Sequence, residues 1–391
     1  MKANIIHRDL NPCGGGERLS IAVMMAVFQS GIDFDFTTLE VPKVERIKRS
    51  FGTNFALSML KASNLNILQS ALVDTKPHSE GTTDGQYDLT INTHADALPY
   101  YCKNFTEKNS IVQCHFPTAI CHLQSNNVDY LKETREYRAP AKGDSKDSYN
   151  RASIEKLRSA YFKMIQNSKV LTNSYFSKKA IKQKLGIQSQ VLSPPVDVEP
   201  FRTGALWSGR RKNTVLVLSR IVPYKKIENA IIIANKLRDN EICDRLIIIG
   251  NIYDDDFVAV GYFERLVRMV NALDLNDFVS FCINANLETV IENMASAKIY
   301  LHTMFGESFG ISTVEAMAAG LSPVVPDIGG HTEFVPKQNQ YSSLDQAADI
   351  ISSEIDASCQ SQRVKFSRAA GKYSVSNYVC GFKKVLEMLN N

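Results

Sequence analysis

The sequence predicts an α/β protein built from two doubly wound, Rossmann-like domains, and three observations support this prediction. Short apolar segments alternate with segments of helical periodicity almost throughout, which is the pattern of parallel sheets covered by helices. The chain has 391 residues, which suits two domains. Pro194 and Pro195 interrupt the pattern near the middle, and consecutive prolines end strands and helices. We therefore expect a first domain over 1–200 and a second over 201–372.

Strand signals recur along the first half of the chain, each bounded by polar or turn-forming residues. The predicted strands cover residues 3–7, 34–39, 88–92, 110–115, 169–172 and 190–192. A glycine-rich turn and a helix from about 17 to 29 follow the first of them. Strand, turn and helix in this order form the unit from which doubly wound sheets are built.

The second half contains further strand signals that are richer in Val, Ile and Leu. The predicted strands cover residues 214–219, 245–250, 278–283, 298–302 and 323–326. Apolar residues at successive positions are expected of parallel strands that helices cover on both faces.

The composition argues against several classes of protein. With 44% hydrophobic and 22% charged residues, the chain differs from disordered, collagenous and coiled-coil proteins. The net charge of +4 is too small to indicate a nucleic-acid partner. The start of the chain contains neither a signal-peptide core nor the roughly 20 apolar residues that span a bilayer. We expect a cytoplasmic protein, or one peripheral to the cytoplasmic face of a membrane.

The cysteine pattern favours free thiols over disulfides or a metal site. Eight cysteines lie at scattered spacings without a CxxC pair, so we expect reduced and mostly buried thiols. Cys114-His115 and Cys121-His122 superficially resemble a metal cluster, but their separation matches no common zinc spacing. Three aspartates at 254–256 could bind a metal, although their place before a helix favours a capping role.

Residues 151–184 form a strongly basic segment, with nine Lys or Arg and one Glu. Within it, Ile154, Leu157, Tyr161 and Met164 lie at helical spacing. One interpretation is a surface helix whose apolar stripe packs on the core. The other is a basic face that docks on anionic lipid or on a phosphate-bearing acceptor.

The most informative segment covers residues 305–320, between a predicted strand and a predicted helix that ends at Gly320. Glu307 lies in the loop, and we place Glu315 in the first turn of the helix. Both carboxylates can face the crevice at the carboxyl ends of the strands, beside a helix N-terminus that can bind phosphate. A ligand with many hydroxyls and a diphosphate would suit this arrangement. Alternatively, Ser312 and Glu315 form a capping box, which leaves Glu307 unexplained.

A pair of cations follows the first strand of the second half. Arg220 leaves the end of this strand, and Lys225 lies five residues later at a predicted helix start. Both would project over one edge of the crevice, where they could bind a diphosphate and neutralise a leaving group. The alternative is a pair of ordinary surface cations.

The glycine-rich turn of the first half can also meet an anion. Gly14, Gly15 and Gly16 precede a helix, where backbone N–H groups can approach phosphate closely. The turn matches neither the dinucleotide fingerprint nor a P-loop, and it remains possible that it is only a tight turn. His115 follows another strand at its carboxyl end, although a single histidine is more often structural than catalytic.

Together these segments resemble the retaining GT-B glycosyltransferases of family 4. Glu307 and Glu315 match the E-x7-E motif of this family, and Arg220 with Lys225 match its diphosphate-binding pair. Residues 194–197 and 329–333 also resemble family elements. Residues 13–18 and 114–118 are most similar to members that are GDP-mannose-dependent α-1,2-mannosyltransferases of dolichol-linked oligosaccharide assembly, although we expect no N-terminal membrane helix of the kind that those members have.

The resemblance implies a GT-B fold, with two Rossmann-like domains facing a central cleft. The first domain would bind the acceptor, and the second would bind a nucleotide sugar. The last segment, about 373–391, would pack back on the first domain. Closure of the cleft would exclude water.

The resemblance also implies roles for individual residues. Glu307 would hold hydroxyls of the donor sugar and Glu315 the ribose, while Arg220 and Lys225 would bind the diphosphate. The remaining donor-binding positions would be the backbone at Phe309, Gly310 and Ile311, the turn residues Gly15 and Gly16, and the side chain of His115. Catalysis would involve Glu307, His115, Arg220 and Lys225. No metal or other cofactor is expected, because cations and helix dipoles would take that role.

These observations lead to one hypothesis with alternatives. We expect a retaining hexosyltransferase that moves mannose from GDP-mannose onto a lipid-linked (polyprenyl or dolichyl) oligosaccharide, without a nucleic-acid partner. A family member using a UDP-sugar on another glycan, or a non-catalytic nucleotide-sugar-binding protein, remains an alternative. The missing dinucleotide fingerprint argues against an NAD-linked enzyme.

Overall fold

A computed structural model of the protein describes residues 1–52, 61–67, 87–94, 109–118, 159, 161–206, 211–252 and 257–390. The chain divides into two compact units. The first unit contains Met1–Pro195 and Ser376–Asn391, and the second contains Val196–Val375. The last helix, Val375–Asn390, lies with the first unit, where Gln113 Nε2 donates to Tyr378 Oη at 2.9 Å.

The first unit contains a seven-stranded parallel sheet. Its strands are β1 (Lys2–Ile6), β2 (Asp33–Thr38), β3 (Leu65–Ile67), β4 (Leu89–Asn92), β5 (Ser110–Gln113), β6 (Lys169–Thr172) and β7 (Gln190–Val191). They lie in the order β3-β2-β1-β4-β5-β6-β7. The order reverses between β1 and β4, and such a reversal opens a crevice at the carboxyl ends of the two strands.

The second unit contains a six-stranded sheet with the same kind of order. Its strands are β8 (Thr214–Leu218), β9 (Arg245–Gly250), β10 (Val279–Ile283), β11 (Ile299–Leu301), β12 (Ser322–Pro326) and β13 (Gln340–Tyr341). All neighbours are parallel, in the order β10-β9-β8-β11-β12-β13. The reversal lies between β8 and β11.

Helices connect these strands. The helices of the first unit include Gly15–Gln29, Val44–Phe51 and Tyr175–Leu185. Those of the second unit include Glu199–Leu206, Ile227–Asp239, Phe257–Ala272, Leu287–Ser296, Ile311–Ala318, Leu344–Ala357 and Gln360–Ala370. None of the helices in the described ranges combines the length and apolarity needed to cross a membrane.

Alternate residues of β8 pack into two different apolar clusters. Val215 and Val217 lie in the cluster that contains Ile231, whereas Leu216 lies in the cluster that contains Tyr300. Both faces of the sheet are therefore covered, which explains the continuous apolar runs of these strands.

The eleven strands predicted from the sequence are confirmed, each within two residues at either end. Two strands were missed, β3 and β13. In β3, Leu65 and Ile67 are largely exposed, so the burial pattern that identifies a strand is absent there. β13 has only two residues, too few to show any periodicity.

Candidate functional site

The predicted site residues of the second unit follow adjacent strands. Arg220 and Lys225 follow β8, Glu307 follows β11, and Gly329 follows β12. Because all three strands are parallel, the loops leave the same edge of the sheet, around the point where the strand order reverses. This is the place where open α/β sheets bind ligands.

Lys225 and Glu307 form an ion pair at this edge. Lys225 Nζ donates to Glu307 Oε2 at 2.5 Å, and the two side chains are 16% and 14% exposed. Thr303 Oγ1 also donates to the carbonyl of Lys225 at 2.7 Å, which ties the loop after β11 to the loop after β8. The structure therefore joins two residues that are 82 positions apart in sequence.

The carboxylate of Glu307 is surrounded by donors. Its Oε1 accepts from the backbone N–H of Ser308 at 3.0 Å, and Nε2 of His302 lies 3.6 Å from Oε2. Burial acts to raise the pKa of Glu307, but the charge of Lys225 and the neighbouring His302 outweigh it and hold this pKa well below its usual value. Glu307 is therefore a carboxylate at neutral pH.

The backbone of the loop that carries Glu307 packs closely on the backbone of Gly329 and Gly330, which follow β12. Gly306 N donates to Ile328 O at 2.8 Å, and Gly330 N donates to Glu307 O at 2.7 Å. A Cβ at Gly330 would lie 2.2 Å from the carbonyl oxygen of Ser308. Only glycine permits this approach, so the Gly-Gly pair fixes the backbone beneath the carboxylate.

The helix Ile311–Ala318 begins differently from the sequence prediction. Its N-cap is Gly310, with a φ of 101°, and no side chain caps it. The capping box at Ser312 is therefore wrong, because Ser312 already lies inside the helix. Glu315 was predicted in the first turn but is the fifth helical residue, buried at 6% exposure. The first N–H groups of an α-helix have no intrahelical partner, and the loop that carries Glu307 leads directly into this helix start.

Phe309 contributes only its backbone to this edge. Its ring is 3% exposed and packs against Phe334 and Tyr373, with centroid distances of 5.2 Å and 5.3 Å. The aromatic cluster thus anchors the residue before Gly310, while the backbone of Phe309, Gly310 and Ile311 remains the predicted contact for a ligand.

Arg220 and Lys225 lie at the same sheet edge but have different hydrogen-bond partners. The exposed guanidinium of Arg220 donates to Tyr224 Oη and lies 5.7 Å from the tyrosine ring. Lys225 Nζ lies 5.8 Å from the same ring but turns toward Glu307. Tyr224, which sequence reasoning did not select, therefore lies between the two cations.

Two histidines near Glu307 were not selected as site residues, although His331 belongs to the segment 329–333 that resembles a family element. His302 and His331 are 4% and 0% exposed, and their rings lie 5.2 Å apart. His331 Nε2 lies 2.7 Å from the carbonyl of Pro326. Burial lowers the pKa of His302 to about 3, so this imidazole is neutral. The available signal was position, since each histidine closely follows a strand of the sheet.

The glycine turn of the first unit is clamped by Glu17. The helix begins at Gly15, two residues before the predicted start, with Gly14 as N-cap. Glu17 Oε2 accepts from Gly14 N at 2.6 Å, and Oε1 lies 3.4 Å from His7 Nε2. His7 is fully buried, and its Nδ1 lies 2.9 Å from Thr93 Oγ1. Through Glu17, the turn is therefore linked to His7, which follows β1, and through His7 to Thr93, which follows β4.

Three histidines follow the adjacent strands β1, β4 and β5: His7, His94 and His115. The rings of His7 and His94 lie 5.0 Å apart. A Cβ placed on Gly16 would lie 3.9 Å from both His115 Nε2 and His7 Cε1. The structure thus brings the predicted His115 and Gly16 together and adds His7 and His94, which the sequence analysis missed.

We expect Glu17→Gln to lower stability in a pH-dependent way. Burial acts to raise the pKa of Glu17, but His7 outweighs it and lowers this pKa from 4.5 to about 2. Such a shift corresponds to about 3 kcal/mol of stability. Because the folded-state pKa is the lower one, this contribution is present above pH 4.5 and is lost as the pH falls toward 2.

Urea denaturation of both proteins between pH 7 and pH 3 measures this effect. Wild type and Glu17→Gln should differ most at pH 7 and converge as the pH falls. Glu45→Gln, at a carboxylate that is 82% exposed, should match wild type throughout. A Glu17→Gln difference that does not change with pH would contradict the assignment.

The expectations for the thiols have mixed outcomes. Within the described ranges, no group of three or more His, Cys, Asp or Glu is placed to hold a metal ion. The six cysteines in these ranges are free, as predicted. The prediction that the thiols are mostly buried is wrong for them, since only Cys114 and Cys243 are buried. Cys102, Cys121 and the aspartates at 254–256 lie outside the described residues.

The basic segment is described only in part, because residues 151–158 and 160 lie outside the described ranges. Tyr161 and Met164 are buried in a cluster with Val112 and Ile181. The interpretation of an apolar stripe on the core is therefore confirmed for these two residues. Several basic side chains remain exposed, namely Lys163, Lys179, Lys182 and Lys184.

Comparison with known proteins agrees with this architecture. Residues 207–373 match the family model described as "Glycosyl transferases group 1". The chain is 27% identical over 226 residues to the "GDP-Man:Man(3)GlcNAc(2)-PP-Dol alpha-1,2-mannosyltransferase" of Dictyostelium discoideum, which covers 54% of this chain and 44% of the relative. It is 24% identical over 268 residues to the human "Alpha-1,3/1,6-mannosyltransferase ALG2", which covers 64% and 60%. The chain thus spans less than two thirds of the length of either relative.

The fold is also similar to that of solved glycosyltransferases. Sucrose-phosphate synthase from Thermosynechococcus elongatus superposes with a TM-score of 0.69 at 12% identity, over 100% of this chain and 99% of that one. At this identity the likeness concerns the fold alone. It confirms the predicted α/β class with two Rossmann-like sheets, the GT-B fold.

Proposed function

We propose that the protein is a retaining hexosyltransferase that uses a nucleotide sugar, because residues 207–373 match the glycosyl transferases group 1 model and the chain has a GT-B fold. The donor is GDP-mannose, and the acceptor is a lipid-linked (polyprenyl or dolichyl) oligosaccharide. The names of the mannosyltransferase relatives support this choice of donor and acceptor. The observation that carries the proposal is the Lys225–Glu307 pair beside the N-terminus of Ile311–Ala318.

The second unit provides the groups that a nucleotide sugar requires. A carboxylate accepts hydrogen bonds from sugar hydroxyls, and Glu307 is held ionised for this purpose. Lys225, Arg220 and the helix N-terminus offer positive charge to the diphosphate. The buried Glu315 is assigned to the ribose.

The same groups stabilise the transition state. As the bond between the sugar and the diphosphate breaks, negative charge develops on the leaving phosphate oxygen. Once the donor is bound, the cations and oriented N–H groups that face its diphosphate stabilise this charge without further reorganisation. In a retaining reaction the oxygen of the acceptor hydroxyl bonds to the sugar with the configuration that the donor had, and its proton passes to the oxygen of the departing diphosphate. The proposal assigns the neutralising role to side chains and requires no metal.

The acceptor is assigned to the first unit. His115, Gly15 and Gly16 remain predicted donor-binding residues there, and their support is the clustering of His115 with Gly16 and His7. The hydrogen bond from Gly14 N to Glu17 Oε2 fixes the conformation of the turn that precedes Gly15 and Gly16.

A thermal-shift panel tests the donor assignment with GDP, UDP, GDP-mannose, UDP-glucose, UDP-N-acetylglucosamine and NAD. A ligand at 100 times its dissociation constant should stabilise the protein by about 2.7 kcal/mol. Selective stabilisation by GDP compounds, followed by mannose transfer to a synthetic lipid-linked acceptor, is the expected result. A preference for UDP compounds would replace the donor, binding without turnover would indicate a binding protein, and a response to NAD alone would refute the proposal.

We further propose that segment 151–184 contacts anionic membrane. Its exposed lysines provide the support, and each lysine near such a surface contributes about 1 kcal/mol. Lys179→Glu with Lys182→Glu should therefore weaken cosedimentation with phosphatidylserine vesicles more than about tenfold. The same charge change on the second unit, at the exposed Lys212 and Lys337, serves as control. Equal binding of both double variants would refute this contact.

A further inference from the structure

A row of neighbouring polar side chains, which we call the line, leads from Ser312 through Tyr300 and His302 to Glu307. Ser312 Oγ lies 2.7 Å from Tyr300 Oη, and Tyr300 Oη lies 3.3 Å from His302 Nδ1. On the other side of the imidazole, His302 Nε2 lies 3.6 Å from Glu307 Oε2. Tyr300 is fully buried and His302 is 4% exposed. The line thus connects the start of the helix Ile311–Ala318 with the carboxylate of Glu307.

The hydrogen-bonding capacity of these groups selects one tautomer of His302. The imidazole is neutral, and burial raises the pKa of Tyr300 above its usual value, so this phenol keeps its proton. A phenol can donate to Nδ1, whereas the carboxylate of Glu307 can only accept. The proton of His302 therefore belongs on Nε2, facing Glu307, because the other tautomer would place a lone pair against the carboxylate.

Nε2 is close to Glu307 but does not yet bond to it. At 3.6 Å the contact is longer than a hydrogen bond, and no other described group bonds to this nitrogen. Lys225 occupies Oε2 at 2.5 Å. His302 Nε2 is thus a buried donor that faces Glu307 Oε2, and this oxygen is already bonded to Lys225.

A diphosphate would change this arrangement. It is a stronger partner for the Lys225 ammonium than one carboxylate, because it carries more negative charge. When Lys225 turns to it, Oε2 loses its closest donor inside a largely buried site. An unpaired buried carboxylate is unfavourable, so a replacement donor is needed.

We propose that His302 is a positioning residue: when the diphosphate of the donor draws Lys225 away, His302 Nε2–H bonds to Oε2 and holds Glu307 against the sugar. This inference rests on the proposed function and deepens it. His302 does not touch the donor, and it acts on the sugar through Glu307. The Tyr300 and Ser312 hydroxyls keep its ring oriented.

Two substitutions at this position separate the role from simple packing. In His302→Asn the amide occupies the place of Nδ1, so the contact toward Tyr300 can remain but nothing reaches Glu307. In His302→Gln the longer side chain places an amide N–H near the position of Nε2. We expect His302→Asn to lower kcat/KM for GDP-mannose about ten- to a hundredfold, and His302→Gln to recover most of this loss. Equal loss in both variants, or no loss in His302→Asn, would overturn the proposal.

Nitrogen NMR of histidine-labelled wild-type protein provides a second readout that does not depend on the variants' folding. His302 should be the Nε2–H tautomer at pH 7, and its proton should move downfield when GDP-mannose is added. That shift should be absent in Glu307→Gln. An Nδ1–H tautomer, or an unmoved signal in protein that binds the nucleotide, would overturn the inference alone. Failure of the wild type to bind any nucleotide sugar would instead overturn the proposed function and the inference with it.

Discussion

Replacing Glu307 with alanine is expected to lower mannose transfer by about a thousandfold while leaving the protein folded. The ionised side chain of Glu307 contacts Lys225 from the loop after β11. Its loss would remove the group that we propose accepts hydrogen bonds from the sugar hydroxyls, and removal of one preorganised group in contact with a reacting substrate has effects of this size. Steady-state turnover and thermal unfolding of the same preparation measure the two quantities.

A matched variant shows whether the loss is specific to the site. Glu264 lies on the helix Phe257–Ala272, and its side chain is 62% exposed. Glu264→Ala removes the same charge and should leave turnover unchanged. Near-normal turnover of Glu307→Ala would contradict the assignment of the site and the proposed reaction with it.

Replacing Lys225 with methionine is expected to lower kcat/KM for the donor about a hundredfold. The substitution removes a cation that we propose binds the diphosphate, and it also removes the main opposite charge beside Glu307. Lys226→Met is the control, since Lys226 is adjacent in sequence but its side chain is 55% exposed and pairs with Glu228. Comparison of donor saturation curves for the two variants measures the effect.

The pH profile of Lys225→Met carries a second expectation. In wild type the pKa of Glu307 lies well below its usual value, because Lys225 and His302 outweigh burial. Without Lys225, burial acts with less opposition and this pKa rises. Activity that needs the carboxylate should then begin to fall at a higher pH than in wild type. An unchanged acid limb would show that Lys225 does not control the ionisation of Glu307.

The sequence was sufficient for most of the fold because strand burial is a local property. The segments at 169–172 and 245–250 were located without error, since apolar residues run continuously between polar ends. Leu65 and Ile67 were missed because both are exposed although they lie in a strand. Helix starts were less certain, since Gly310 caps its helix through a positive φ that no sequence pattern specifies.

Individual residues of the site could be predicted from the sequence, but the contacts between them could not. Glu307 and Lys225 were each selected from motifs, yet their contact depends on β8 lying beside β11, which sequence spacing does not show. His7 and His302 were missed because an isolated histidine carries no local signal. Each becomes notable only when strand order places it at the point where the sheet reverses.

The Lys225–Glu307 pair means that the ligand-free site of the second unit balances much of its own charge. A simple anion that binds Lys225 leaves Glu307 without its counterion. The attraction between the anion and Lys225 is therefore offset by the loss of the Lys225–Glu307 bond. A molecule that presents hydroxyls next to its phosphates can satisfy both members at once. The site then discriminates against the abundant simple anions of a cell because such an anion can replace only one of the two partners. A pocket shaped to exclude these anions is not needed.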